Sequence, residues 1–168
     1  VGSNVRVQTS LGEFTIAVDA EAAPETVANF LSYVDSGFYD GGDGLGETTF
    51  HRVIPDFMIQ GGGYKTNGNL KPPGGSIDHA GDNGLLNVRG TVAMARTSIP
   101  DSATCQFFVN QVDNTSLDYV SPEQPGYVVF GQVVTGMDTV DAIAGVETDA
   151  LDVPTTPVVI QSVNRVAD

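Results

Sequence analysis

Apolar positions alternate with polar ones at Val5, Val7 and Thr9, pause at Leu11-Gly12 and alternate again at Phe14, Ile16 and Val18. That pattern predicts an opening β-hairpin with one buried face. From Pro24 the period lengthens: Val27, Phe30, Leu31 and Val34 stand at i, i+3, i+4 and i+7. With proline in the first turn and Gly37 just past the end, this is the pattern of an amphipathic helix. Alternation returns at Phe50, Arg52 and Ile54 and resumes at Phe57 and Ile59, beside Met58 and Gln60, so two short strands flank a Pro55-Asp56 turn. Three more strands are expected at 91–95, 106–110 and 127–134, where Val, Phe and Tyr gather between polar, proline-containing loops. Thr135 then reads as the cap of a second helix, whose stripe is Met137, Val140, Ile143 and Ala144 and which Gly145 ends. Residues 157–163 supply a last strand. The total is eight strands and two helices, a mainly β domain in which closure into a barrel, stoppered by helices at both ends, would remove exposed sheet edges.

The stretches between these elements are read by their punctuation. Residues 38–49 are rich in glycine and acid with no apolar period, which predicts a mobile surface loop. Asp40, Asp43 and Glu47 raise the thought of calcium, but their spacing lacks the ligand pattern of a calcium loop. Residues 64–86 are expected to be a long surface excursion. His79 has no second His or Cys at ligand spacing, so no metal site is assigned. His51 is expected to point away from Arg52 and make a structural hydrogen bond, with no acid-base role.

Composition narrows the class. A chain of 168 residues, 40% hydrophobic and 8% aromatic, has enough apolar material for one core and one domain. Its net charge of −14, from 21 acids against 7 bases, would repel nucleic acid and anionic membrane alike. The acids read as a well-solvated surface, although with only Lys65 and Lys71 as lysines the balance also fits adaptation to brine. Cys105 stands alone, so no intrachain disulfide forms, and it reads as a small packed side chain. No run approaches the ~18 apolar residues of a membrane span. The start at Val1 rather than methionine suggests processing.

Candidate chemistry concentrates in 50–63. A guanidinium has five donors and keeps its charge at ordinary pH, so Arg52 beside Phe57 and Met58 makes a hydrogen-bonding spot on an apolar surface. That combination suits a neutral polar substrate. No nucleophile, base and orienter set is identifiable, which argues against a hydrolase.

The run Phe50-His51-Arg52-Val53-Ile54-Pro55-Asp56-Phe57-Met58-Ile59-Gln60-Gly61-Gly62-Gly63 resembles, almost residue for residue, the signature of the cyclophilin family of peptidyl-prolyl cis/trans isomerases. Residues 90–95, Gln106-Phe107-Phe108-Val109, Tyr127-Val128-Val129-Phe130-Gly131 and Gly136-Met137 continue the likeness in the family's order. Ala93-Met94-Ala95-Arg96-Thr97 looks bacterial, since eukaryotic members usually have asparagine where Arg96 stands. The resemblance implies a closed eight-stranded antiparallel β-barrel capped by two helices. It implies acceleration of rotation about X–Pro bonds without cofactor or metal. It casts Arg52, Phe57 and Gln60 as catalytic. Met58, Phe108 and Leu117 would join Phe57 around the proline ring, Ala95 and Arg96 would meet the preceding chain mainly through main-chain groups, and Gln106 would support Arg52 or the neighbouring pocket. Tyr127 would form the rim in place of a histidine. Ser116 replaces a common tryptophan, so cyclosporin binding should be weak. A slightly longer 97–105 loop and an inserted 40–47 segment leave these positions alone.

The partners so implied are proline-containing peptides and unfolded or folding proteins, met by a monomer. The periplasm of a bacterium, after removal of a leader, is the expected compartment, and the cytoplasm is the alternative. The rival function is a proline-segment binding module or holdase with little turnover, which would not need to keep Arg52.

Overall fold

The computed structural model describes residues 4–166. In chain order its elements are β1 (Asn4–Thr9), β2 (Gly12–Val18), α1 (Pro24–Asp35), β3 (Thr48–Thr49), β4 (Arg52–Ile54), β5 (Met58–Gly61), β6 (Tyr64–Lys65), β7 (Thr91–Met94), β8 (Phe107–Asn110), β9 (Val129–Thr135), α2 (Met137–Ala144) and β10 (Ile160–Val166), with 3-10 turns at Pro100–Ser102 and Thr115–Leu117. The opening hairpin forms as patterned: Val5 faces Ile16 and Val7 faces Phe14, and all four are fully buried. In α1, Pro24 occupies the first turn. Gly37 follows the helix with φ 74°, where a side chain would crowd backbone atoms of Gly42 and Asp43 at 2.8 Å. Among the described residues, no helix is long and apolar enough to cross a membrane.

Eight strands make one sheet, in the order β10-β1-β2-β9-β7-β8-β5-β4, and β3 pairs with β6 in a small sheet that the apolar pattern does not announce. Every neighbouring pair is antiparallel. The main sheet curls through 218° and stays open, so the expected closed barrel is corrected to a strongly curled half-barrel. The reason lies at its edges. The edge strand β4 has three residues before Pro55 interrupts it, and the chain approaching β10 carries Pro154 and Pro157, which have no N–H to give a ladder. Irregular chain therefore covers the edge: Val53 N–H donates to Asp152 O at 2.8 Å and Phe50 N–H to Val158 O at 3.0 Å. A single bridge, Thr49 to Val159, spans the gap.

Residue 135 is a second correction. Thr135 ends β9, and the N-cap of α2 is Gly136, with φ 88° and no capping side chain. A Cβ there would lie 2.4 Å from Glu13 O, so close packing on β2 selects glycine over a hydroxyl cap.

The 38–49 segment is tied down rather than free. Lys71, in the irregular 64–86 excursion, is 2% exposed. Its ammonium donates to Phe38 O and Gly46 O, both at 2.7 Å, and to the Asp43 carboxylate at 3.0 Å, and lies 4.7 Å from the centroid of the Phe38 ring. Asp40 bonds Gly42 N–H with one oxygen and Val163 N–H with the other. The acids and glycines thus wrap a lysine. Burying that charge is tolerable only because three oxygens satisfy it.

Strand alternation builds two cores. Val92, Met94, Phe107, Val109 and Ile59 point to the inside of the curl, where Phe107 meets Phe30, Tyr39 and Phe50 at ring separations of 5.5, 5.4 and 5.9 Å. Met58, Ala93, Ala95, Phe108 and Val129 form a second apolar cluster, against which Phe57, Leu117 and Tyr127 pack. Cys105 is buried on the first side, and burial pushes its thiol up to about 11, which leaves it unreactive.

Lys71→Met removes the ammonium and strands Phe38 O, Gly46 O and Asp43. A loss of roughly 3 kcal/mol in urea unfolding is expected. A midpoint unchanged from wild type would show that Lys71 does not hold the segment.

Candidate active site

The site is laid out by register. Arg52 on β4 faces Gln60 on β5, Gln60 faces Phe108 on β8, and Phe108 faces Ala93 on β7. Adjacent strands lie about 4.8 Å apart, so this row runs from a guanidinium through an amide to an aromatic ring on one face of the sheet. Met58 is two residues from Gln60 on the same face, and Phe57 precedes it in the turn, where Asp56 takes φ 59°. Ala95 and Arg96 leave the end of β7. Leu117 and Tyr127 arrive from the long connection between β8 and β9.

These residues enclose a cleft of about 130 Å3 lined by Arg52, Phe57, Met58, Gln60, Ala95, Arg96, Phe108, Leu117 and Tyr127. Nine of the ten expected site residues therefore meet in one place. The tenth, Gln106, stands behind them. It accepts from Gln60 Nε2 at 3.0 Å, so it supports the cleft through Gln60 rather than through Arg52, and that bond turns the Gln60 carbonyl oxygen outward to accept. Gly63 makes room for it, since a Cβ there would sit 2.4 Å from the Gln106 side chain. A larger groove, about 690 Å3, lies beside Val18, Leu85 and Leu86, but it offers no guanidinium and no aromatic ring. Chemistry, not volume, selects the smaller cleft.

Arg52 is exposed and, among the described residues, has no hydrogen-bond or carboxylate partner, so its donors are available. Arg96 is held more firmly than the main-chain role expected of it suggests. Its Nε and Nη2 donate to Gly126 O at 3.2 and 2.6 Å, Nη1 donates to Thr97 O at 2.9 Å, and the guanidinium lies 4.6 Å from the centroid of the Tyr127 ring. His79 completes the cluster. Its Nδ1 accepts from Gly81 N–H at 2.9 Å, so Nε2 carries the proton and donates to Gly126 O at 3.0 Å.

The sequence reading missed what stands beneath the cleft. Asn87 and Asn110 are fully buried and Asn114 nearly so. Asn110 donates to Asn87 and Thr91, both at 3.0 Å, and accepts from Asn114 at 2.8 Å. The network then reaches the lining: Asn114 Nδ2 donates to Phe57 O at 2.9 Å, and Asn87 Nδ2 donates to Leu117 O at 3.1 Å and Tyr127 O at 3.3 Å. Three lining residues are thus fixed by carbonyls on one buried amide chain. The one available signal was the four-residue spacing of Asn110 and Asn114 after an apolar run, and asparagines before turns are too common for that to stand out.

His51 faces away from the cleft, into a recess it shares with Tyr64, whose ring lies 4.3 Å from its own. The structural hydrogen bond expected of it is absent from Nδ1, which is buried without a partner. Burial, and secondarily the Arg52 charge, push this imidazole down to about 4.

Comparison with known proteins gives a consistent result. The family model described as cyclophilin type peptidyl-prolyl cis-trans isomerase matches residues 4–165. A peptidyl-prolyl cis-trans isomerase of Streptomyces antibioticus is 50% identical over 166 residues, covering 95% of this chain and 96% of that protein. Peptidyl-prolyl cis-trans isomerase B of Escherichia coli is 47% identical over 165 residues, covering 95% and 97%. The crystal structure of a Cryptosporidium parvum cyclophilin type isomerase in the presence of the dipeptide Ala-Pro superposes with a TM-score of 0.83 at 26% identity, covering 98% of this chain and 99% of that one.

His51 carries a pH prediction. The folded protein holds a neutral imidazole where an unfolded chain protonates below about 6.5. The stability so contributed is intact above that pH and declines as pH falls toward 4, by roughly 1–3 kcal/mol. Urea unfolding at pH 7 and pH 4.5 should therefore show a smaller acid loss in His51→Gln than in wild type. Equal losses would mean that His51 is not the group responsible.

Proposed function

This chain belongs to the cyclophilin-type peptidyl-prolyl cis-trans isomerases, and from that premise we propose that Arg52 is its catalytic donor, with Phe57, Met58, Phe108 and Leu117 holding the proline ring. It is a peptidyl-prolyl cis-trans isomerase. Rotation about an X–Pro bond breaks no covalent bond but must overcome amide resonance, a barrier of roughly 18–20 kcal/mol. In the twisted transition state the prolyl nitrogen loses conjugation and becomes a better acceptor, so a donor aimed there binds that state more tightly than either ground state. The single observation that carries this assignment is the register row: a guanidinium without a partner among the described residues, one strand from Gln60 and two from Phe108, at the edge of a cleft lined by Phe57, Met58 and Leu117.

Each side chain has a separate task. The apolar end desolvates the ring, which strengthens the Arg52 hydrogen bond. Gln60 accepts from substrate backbone through the oxygen that Gln106 leaves free. Ala95 and Arg96 meet the chain before the proline, and Tyr127, edge-on to Phe108 at 5.6 Å, walls the rim. Substrates are X–Pro segments exposed in unfolded or folding proteins, and the protein acts as a monomer. With Ser116 outside the lining and Tyr127 at the rim, cyclosporin binds weakly.

Exchange spectroscopy on a short proline peptide at catalytic enzyme concentration tests the assignment. Arg52→Ala is expected to lower the exchange rate by about two orders of magnitude or more. Full exchange in the variant would remove Arg52 from catalysis. Peptide binding by wild type without accelerated exchange would point instead to a proline-segment binder.

A further inference from the structure

We propose that this enzyme prefers X–Pro bonds in which X carries a carboxylate, glutamate or aspartate, and that Arg96 is the residue that selects it; the proposal rests on the isomerase reading of the cleft. Positive charge is scarce in this chain. Of the 7 basic residues, Arg6, Lys71, Arg89 and Arg165 have carboxylate partners, at 4.0, 3.0, 2.7 and 2.6 Å. Among the described residues, Arg52, Lys65 and Arg96 have none within that range. Two of these three line the same cleft, and no carboxylate lines it. In a protein of net charge −14, the site of reaction is thus a cationic spot framed by an acidic surface. Such a field holds an anionic group at the cleft and repels it elsewhere.

The two guanidiniums are not equivalent. Arg52 is engaged by the imide that rotates. Arg96 is held by two neutral carbonyls, Gly126 O and Thr97 O, which take three of its N–H groups and cancel none of its charge. Its stacking over Tyr127 fixes the plane. A guanidinium has five N–H donors, so two remain for a ligand, on a group that need not be ordered when the ligand arrives. With the proline ring in the apolar end, the preceding residue starts one Cα step of about 3.8 Å away, on the side where Ala95 and Arg96 leave β7. Arg96 lines the same cleft as the apolar end, so a glutamate at that position carries its carboxylate toward the guanidinium. A lysine there would meet like charge.

The test compares peptides Ala-Glu-Pro-Phe, Ala-Gln-Pro-Phe and Ala-Lys-Pro-Phe by exchange spectroscopy at about 20 mM salt. The kcat/KM for Glu should exceed that for Gln by roughly twofold to fivefold, the size of one partly screened charge pair, with the gain in KM and Lys the poorest. The Glu/Gln ratio should fall toward one at about 0.5 M salt. In Arg96→Gln the ratio, which cancels any change common to both peptides, should collapse, and Arg96→Lys should retain part of it. A wild-type ratio of one at low salt, with the Gln peptide turning over, overturns the selectivity and leaves the isomerase intact. A ratio that persists in Arg96→Gln overturns the assignment to Arg96. Failure to turn over any of the three peptides removes the isomerase reading itself.

Discussion

Strands β5, β7 and β8 bury both of their faces, and the rest of the molecule follows from that constraint. A strand alternates its side chains, so each must supply one core and one cleft at once. Phe107 goes into the aromatic cluster around Phe30, and its neighbour Phe108 goes into the cleft. Ile59 lies inside, with Met58 and Gln60 outside. A one-residue slip would exchange the two faces, moving Gln60 into the aromatic core and Ile59 into the place of the amide. Stability of the first core therefore enforces the geometry of the second. The row from Arg52 to Ala93 needs no separate device to keep it aligned.

What register does not align, buried amides do. The connection from β8 to β9 carries Leu117 and Tyr127 and has no ladder joining it to the sheet, only the 3-10 turn at Thr115–Leu117 and an isolated bridge between Ser121 and Gln124. Its carbonyls are gathered by Asn87, while Tyr127 N–H donates to Leu117 O at 2.9 Å. Gly126, with φ 66°, lets the chain turn where a Cβ would strike Leu117 O at 2.4 Å, and its own oxygen receives Arg96 and His79. A buried polar network is worth having only when every member is satisfied, and here it turns an irregular segment into a rigid wall. The cleft thus has a floor set by strands and a wall set by hydrogen bonds.

This division explains how much could be read from sequence. The strands that bear Arg52, Gln60 and Phe108 showed themselves by period two, and the family likeness assigned their roles. Arg52, Met58, Gln60 and Phe108 line one cleft because their positions depend on register, which a pattern encodes, whereas Leu117 and Tyr127 were legible only through the family likeness. Long-range polar pairing leaves no such trace. Nothing in the local run around Lys71 announces that it lies under the glycine-rich segment, 28 residues from Asp43, or that Asn87 reaches Leu117 thirty residues on. Thr135 misled because capping propensity is local, whereas the contact of Gly136 with Glu13 O is tertiary. Closure failed for a related reason. Counting strands cannot say whether the last pair meets, and the short β4 and the prolines before β10 prevent it.

The chemistry also explains why so acidic a chain can keep this cleft. Amide rotation requires no proton to be taken up or released, only a donor whose charge is constant. A guanidinium meets that need at any ordinary pH. His51, the one titratable neighbour in sequence, is kept neutral by burial and adds no charge beside Arg52 at physiological pH. The surface carboxylates, for their part, are screened over about 8 Å at physiological salt, so their number bears weakly on a site walled by apolar groups and carbonyls. Net charge and catalytic charge are therefore set independently, the first by the solvated surface and the second by two arginines that no carboxylate among the described residues neutralises.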